Sequence, residues 1–263
     1  MNQQLLGKEE WFKKKLRNDF LIFDKGEFPA FTNTGYDSVL FGIINSAYIK
    51  KNNLDSFFKA LEPFINFDDG KNKFVIDSKR TEEIKESLSD DRILSGLTVF
   101  ELNPKETSHL EFLEGMGAVI PQEVMNNSIP ILGEKAIKLN NWNEYIKGKY
   151  DITISNGLMD ENSGIRYNNH SAVFSAFELY TIFANITKKN GFSFHSNGSQ
   201  ISSLYETYFQ FIGFKVIEYF RNSDGQFNFT MIMKKINEQV SDYNRFFYTY
   251  TELKRRWPTR YGN

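Results

Sequence analysis

The sequence predicts an α/β protein, mostly helical up to about residue 95 and from there a mostly parallel sheet with an antiparallel last strand. Three observations predict it. Apolar residues recur at helical spacing through most of the first section. After Gly96, short strand-like apolar runs alternate with helical stretches, the pattern of parallel β/α units. Near the end, residues 214–220 and 227–234 form two strand-like runs with a turn at Asp224 and Gly225 between them, close enough to pair antiparallel.

The elements follow in order. Residues 4–18 bring Leu5, Trp11, Phe12 and Leu16 to one helical face, with Lys13, Lys14, Lys15 and Arg17 around it. Gly26 and Pro29 interrupt residues 20–31, a helical pattern resumes over 36–51, and 54–64 and the charged 81–89 predict two further helices. Residues 73–77 predict a short strand. In the second section, LTVFEL (97–102) predicts a buried strand, 107–116 a helix, 118–120 a second strand and 137–139 a third. YDITIS (150–155) is the clearest strand of that half; a long helix over 172–187, a strand GFSFHS (191–196) and a helix over 201–211 follow it. The expected organisation is a helical section 1–95, a sheet domain 96–237 and an aromatic and basic tail 238–263, without repeats or a flexible linker.

Composition excludes several classes of function. With 32 Lys and Arg against 33 Asp and Glu, no global field draws the chain to nucleic acid or to an anionic membrane, so neither is expected as a partner. Without cysteine there is no disulfide, thiolate nucleophile or Cys-ligated metal, and three histidines leave little for a metal, so none is expected. No apolar run approaches the roughly 20 residues that span a bilayer, and polar residues follow Met1; the expected location is cytoplasmic. The 26 Phe and 13 Tyr read as core material.

The succession of elements over about residues 95–237 resembles the class I S-adenosylmethionine-dependent methyltransferases, whose parallel sheet closes with a hairpin. The segments that carry the resemblance are KYDITISNGLMDE, KKNGFSFHSNGS and ETYFQFIGFKVIEYFRN with FNFTMIMKK. It implies a Rossmann-like methyltransferase sheet, S-adenosylmethionine as cofactor and methyl transfer as the reaction. One stretch departs from the family. Where it places an acidic residue and a glycine-rich turn after the first strand, this chain reads VFELNPKETSHLEFLEGMG: Glu101 supplies the acid, but Asn103, Pro104 and Lys105 replace the glycines, and Gly115 and Gly117 come a helix later. Three readings stay open: a methyltransferase that holds its cofactor differently, a methyltransferase-like domain without the chemistry, and another α/β fold.

Ligands of a parallel sheet sit beyond the carboxyl ends of its strands, which selects the candidate residues. By the resemblance, Glu101 bonds the amino acid moiety of the cofactor, with Asn103 beside it; the plain alternative is a carboxylate capping the next helix. Glu123 stands where the family's acid accepts two ribose hydroxyls, or is a solvated loop residue. Asn141 and Trp142 fall where adenine is contacted, although tryptophan is commonly core. Asn156 and Gly157 would face the methyl group and its acceptor, with Asp160 and Glu161 on the rim, or they form a turn for backbone reasons. Asp151 reads as structural and His109 as surface or packing. His170, in a polar loop, and His195, near a strand's carboxyl end, are the candidate general bases, because imidazole titrates in the useful range. Arg245, Lys254, Arg255, Arg256 and Arg260 alternate with aromatic residues in the tail, which is expected to dock on the body or on a second copy of the chain. The expected function is methyl transfer from S-adenosylmethionine to a hydroxyl of a small-molecule acceptor, with a sugar or sugar nucleotide in view. SNGL stands where base-methylating relatives carry an NPPY-like tetrad. The alternative is a non-catalytic methyltransferase-like scaffold that binds a partner protein.

Overall fold

The computed structural model describes residues 3–17, 20–21, 35–77, 80–89, 92–104, 107–130, 135, 137, 139–159, 166–167, 170–171, 176–197, 209–221, 229–238 and 255. The first section contains α1 (Gln3–Lys15), a small hairpin of β1 (Leu16–Arg17) and β2 (Phe20–Leu21), α2 (Gly35–Lys50), α3 (Leu54–Leu61), a second hairpin of β3 (Ile65–Asp68) and β4 (Lys73–Ile76), and α4 (Thr81–Ser89). The second contains β5 (Val99–Glu101), α5 (Ser108–Gly115), α6 (Gln122–Met125), α7 (Trp142–Tyr145), β6 (Tyr150–Met159), a hairpin of β7 (Arg166–Tyr167) and β8 (His170–Ser171), α8 (Ala176–Ile186), β9 (Thr187–Asn197), β10 (Phe214–Arg221) and β11 (Phe229–Lys235).

The central sheet runs in the order β10–β11–β9–β6–β5. β5 pairs parallel with β6, and β6 parallel with β9. β11, last in sequence, lies between β9 and β10 and is antiparallel to both. Beyond β5 the expected second strand is a single parallel bridge, Thr98 with Val119, held by Val99 N to Val119 O at 2.9 Å and Val119 N to Leu97 O at 2.8 Å. Residues 137 and 139, expected in a third strand, belong to no strand. Most of the tail expected to dock lies outside the described residues.

Side chains alternate between the two faces of the sheet. Register partners Glu101, Ile154, Phe194 and Ile232 share one face. α2 covers it so closely that a Cβ on Gly42 would come within 2.6 Å of Phe194, so the smallest residue is required there. Phe100, Thr153, Ser193 and Met233, and above them Ser155, His195 and Met231, share the other face, which α8 covers with Tyr180 and Phe183. Many of the described aromatic residues are core: Phe12, Tyr48 and Phe57 are buried, with Phe57 stacked on Tyr48 at 4.5 Å and edge-on to Phe12 at 5.3 Å. Each such ring contributes about 1.5–3 kcal/mol by leaving water. No helix among the described residues is long and apolar enough to cross a membrane.

At the amino end of the sheet, Asp151 ties the layers together. Its side chain is 8% exposed and accepts from Lys50 Nζ at 2.5 Å, Lys188 Nζ at 2.8 Å, Thr98 N at 3.0 Å and Thr98 Oγ1 at 2.9 Å. Burial alone would raise this carboxyl, but the hydrogen bonds from Lys188, Lys50 and Thr98 outweigh it and hold it well below the usual carboxylate range. Asp151 is structural, as its position within the strand suggests. Replacing it by Asn removes the charge that both lysines meet. Urea unfolding of Asp151→Asn is expected to show a loss of about 1.5–3 kcal/mol, the scale of hydrogen bonds to a charged group; a change under 0.5 kcal/mol would count against this role.

Candidate functional site

The chain leaves β5 for Val119 on one side and returns to β6 on the other, so the strand order reverses at the carboxyl ends of β5 and β6. Such a reversal leaves a crevice, because the two connections depart in opposite directions. β5 ends there in Glu101, which is 1% exposed, and Leu102 N continues the ladder to Ile154 O at 3.1 Å. Two residues on, Asn103 takes φ +53°, the left-handed conformation that glycine adopts most readily. Asparagine is among the few L-residues that adopt it readily. The turn is therefore made without the glycine motif. Asn127 Nδ2, just after α6, donates to Pro104 O at 3.5 Å and joins this turn to the loop beside it.

His109 in the first turn of α5 was expected at the surface or in packing. Instead its Nε2 lies 2.5 Å from Glu101 Oε2 and fixes that side of the carboxylate. The other oxygen, Oε1, has no hydrogen-bond partner among the described residues, and neither has Asn103 Nδ2. Buried polar atoms without partners are costly, on the order of 1–3 kcal/mol each. An acceptor and a donor in that condition two residues apart mark a place where a ligand can supply the complement.

A second polar group lies on the other face of the sheet. Thr187 Oγ1 donates to Phe183 O at 2.7 Å, Thr153 Oγ1 lies 2.9 Å from Thr187 Oγ1 and 2.8 Å from Ser193 Oγ, and Ser193 Oγ lies 2.7 Å from His195 Nε2. His195 is fully buried, with Tyr180 and Phe183 each edge-on to its ring at 5.0 Å. Burial pushes its imidazole down to about 3. It therefore stays neutral throughout the physiological range and is enclosed within the core, so the expectation of His195 as a general base is corrected.

The sheet order supplies the decisive feature: β11, last in sequence, inserted antiparallel between β9 and β10 at the edge of an otherwise parallel sheet. This is the class I methyltransferase fold. No known family matches the sequence, and no curated protein does. Solved structures overlap it in part. TehB from Haemophilus influenzae shares 11% identity over 56% of this chain and 59% of its own, with a TM-score of 0.35. A fibrillarin pre-rRNA processing protein from Methanococcus jannaschii shares 12% over 66% and 83%, at 0.36. An O-methyltransferase family protein from Burkholderia thailandensis shares 11% over 74% and 72%, at 0.32. The chain spans about half the length, 50% and 49%, of two further overlapping structures. Strand order, and not these overlaps, assigns the fold.

On the methyltransferase sheet the other expected residues are dispersed. Glu123 is half-buried in the first turn of α6, and no described contact joins it to Glu101 or Asn103. Its charge reaches the Tyr150 hydroxyl, which burial first and that charge second push up to about 12. Asn141 precedes α7, and Trp142, its first residue, packs against the core, the commoner role of tryptophan. Asn156 and Gly157 continue β6 instead of forming a turn, and His170 begins β8; their side chains lie outside the described residues, as do Asp160 and Glu161. Among the described residues no group of three or more His, Asp and Glu is placed to hold a metal. His109 was missed by sequence reasoning. Its only signal was position, on the helix after β5.

The depressed imidazole has a consequence for stability. His195 protonates near 6.5 in the unfolded chain but near 3 when folded, so below 6.5 the unfolded state binds a proton that the native state does not. The associated stability is complete above pH 6.5 and declines towards pH 3, by at most about 1.4 kcal/mol per unit. Urea melts between pH 7 and 4.5 should show this decline, and His195→Gln should flatten it; parallel slopes for the two proteins would exclude a buried neutral His195.

Proposed function

We propose that this chain is an S-adenosylmethionine-dependent methyltransferase acting on a hydroxyl of a small molecule. The observation that carries the reading is the pair Glu101 Oε1 and Asn103 Nδ2, both without a hydrogen-bond partner among the described residues, at the reversal point of the sheet. A buried carboxylate oxygen calls for a cationic donor and an amide nitrogen for an acceptor. The α-amino acid end of S-adenosylmethionine offers both, an ammonium and a carboxylate. When bound, the cofactor supplies a methyl group activated by a positive sulfur. The chain's own residues have the lesser tasks of holding that end, aligning an acceptor and excluding water.

Glu101, positioned by His109, receives the ammonium, and Asn103 turns the backbone and donates to the carboxylate. Glu123, Asn141 and Trp142 are proposed for the ribose and adenine, and Asn156 and Gly157 for the acceptor side. With His195 neutral and buried, His170 is the histidine left to take the acceptor's proton. A second reading has its own support. His109 already occupies one oxygen of Glu101, which favours a methyltransferase-like scaffold whose acid has been turned to internal use.

A titration separates the two. S-adenosylhomocysteine at 100 times its dissociation constant is expected to stabilise the protein by about 2.7 kcal/mol. Glu101→Ala should abolish that shift while leaving a cooperative unfolding transition. No shift with either the cofactor or its product at millimolar concentration would leave the scaffold reading standing.

A further inference from the structure

A formal net charge of −1 gives the chain no global field, but its charges are unevenly placed. The segments that meet at the amino end of the sheet, 50–51, 147–151, 187–191, 213–216 and 233–238, carry nine lysines, no arginine and two acidic residues, Asp151 and Glu238. The topology gathers them there. Lys50 closes α2 and Lys51 follows it, Lys149 precedes the first residue of β6, and Lys188 and Lys189 open β9. β11 runs antiparallel to its neighbours and so delivers its last residues to the same edge. There Lys234 is the register partner of Phe192 on β9 and of a further lysine, Lys215, on β10.

The acids at this end do not balance the lysines. Asp151 is already shared between Lys50 and Lys188. Lys51, Lys149 and Lys189 are exposed and make no ion pair among the described residues. The crowding of like charge reaches inward to Lys235, which is buried, donates from Nζ to Ile212 O at 2.7 Å and stands 5.0 Å from the centre of the Phe214 ring. Burial first and the charge of Lys149 second push its ammonium down to about 8, against the opposite pull of Glu238. The negative end of the α2 dipole accounts for a cation at its own last turn, and that effect is confined to the turn. The lysines of the other elements need another reason.

Neighbouring strands lie about 4.8 Å apart, so the lysines of β6, β9, β11 and β10 form a band roughly 14 Å long across the edge of the sheet. Lysines without an arginine fork meet phosphates as point charges and do not read bases. The two rings in these segments, Tyr150 and Phe214, are buried, so neither offers the stacking platform of a single-strand binder. A lipid surface suits the band less well, because binding to it draws on buried apolar area as well as charge. Ile236 is the one exposed large apolar side chain in these segments. We infer that the amino end of the sheet is a docking surface for the phosphate backbone of a nucleic-acid duplex, held without regard to sequence. It lies at the opposite end of the sheet from Glu101 and Asn103, and it does not rest on the proposed methyltransferase function.

The probe is a short fluorescent duplex of mixed sequence, titrated with the full chain. Binding is expected at about 50 mM salt and should weaken steeply as salt rises, since each phosphate neutralised releases counterions. Lys51→Ala, Lys149→Ala and Lys189→Ala combined should weaken it by about tenfold or more and lower the steepness of the log–log salt dependence by nearly three. The same change of charge at Lys14, Lys59 and Lys71, exposed in the first section, should do neither. In the unsubstituted protein, bound duplex should shield Lys51, Lys149 and Lys189 from a small acetylating reagent while Lys14 and Lys71 keep reacting, a readout that no variant's folding can disturb. Absence of binding at about 50 mM salt overturns the proposal. Equal losses in the two combined variants, or shielding of Lys14 and Lys71 instead, also overturn it. So does a protein that ignores the duplex and binds phosphatidylserine vesicles, which would give the surface to a membrane. Duplex binding of the expected kind in a protein indifferent to S-adenosylhomocysteine would keep the surface and remove only the methyltransferase reading.

Discussion

A carboxylate taken out of water must be met by donors, and at Asp151 four donor contacts from three separate elements converge on one side chain. Lys50 brings the end of α2, Thr98 the approach to β5 and Lys188 the start of β9, while Asp151 itself belongs to β6. That single requirement fixes the relative heights of three strands and of the helix that covers them. β6 bulges to meet it, since Asp151 N and Ile152 N both donate to Thr98 O, at 2.9 and 3.1 Å. The parallel register that brings Glu101, Ile154 and Phe194 level follows from this anchoring at the opposite end.

The two ends of the sheet obey opposite rules. At the amino end, both charged oxygens of Asp151 have partners, and the result is rigidity. At the carboxyl end, Glu101 Oε1, Asn103 Nδ2, Ser155 Oγ and His195 Nδ1 are buried without partners among the described residues. Stability saved at one edge offsets what the other leaves unsatisfied. Binding sites commonly show this imbalance, because atoms that hold a ligand have no equivalent substitute when it is gone.

The fold was legible because it rests on periodicity. The run LTVFEL gave β5, YDITIS gave β6, and the two closing runs gave β10 and β11 in the expected antiparallel pairing. The hairpin of β3 and β4 was seen by half, since INFD is too polar to announce a strand. The strand expected at 118–120 is a single bridge at Val119, and the described residues 137 and 139 belong to no strand. The site was less legible, for two physical reasons. A glycine motif stands in for a backbone conformation, and this chain obtains that conformation otherwise: of the six described non-glycine residues with positive φ, five are asparagine. A histidine near a strand's end can face the crevice or the core, and the sequence carries no signal that distinguishes the two. His195 went inward and His109, on a helix, reached the acid.

The place of β11 has one further consequence. Because β11 lies between β9 and β10, β10 has no other neighbour in the sheet and joins it only through β11. The two strands therefore enter the sheet together, and a change that weakens the pairing of β11 with β9 detaches both at once.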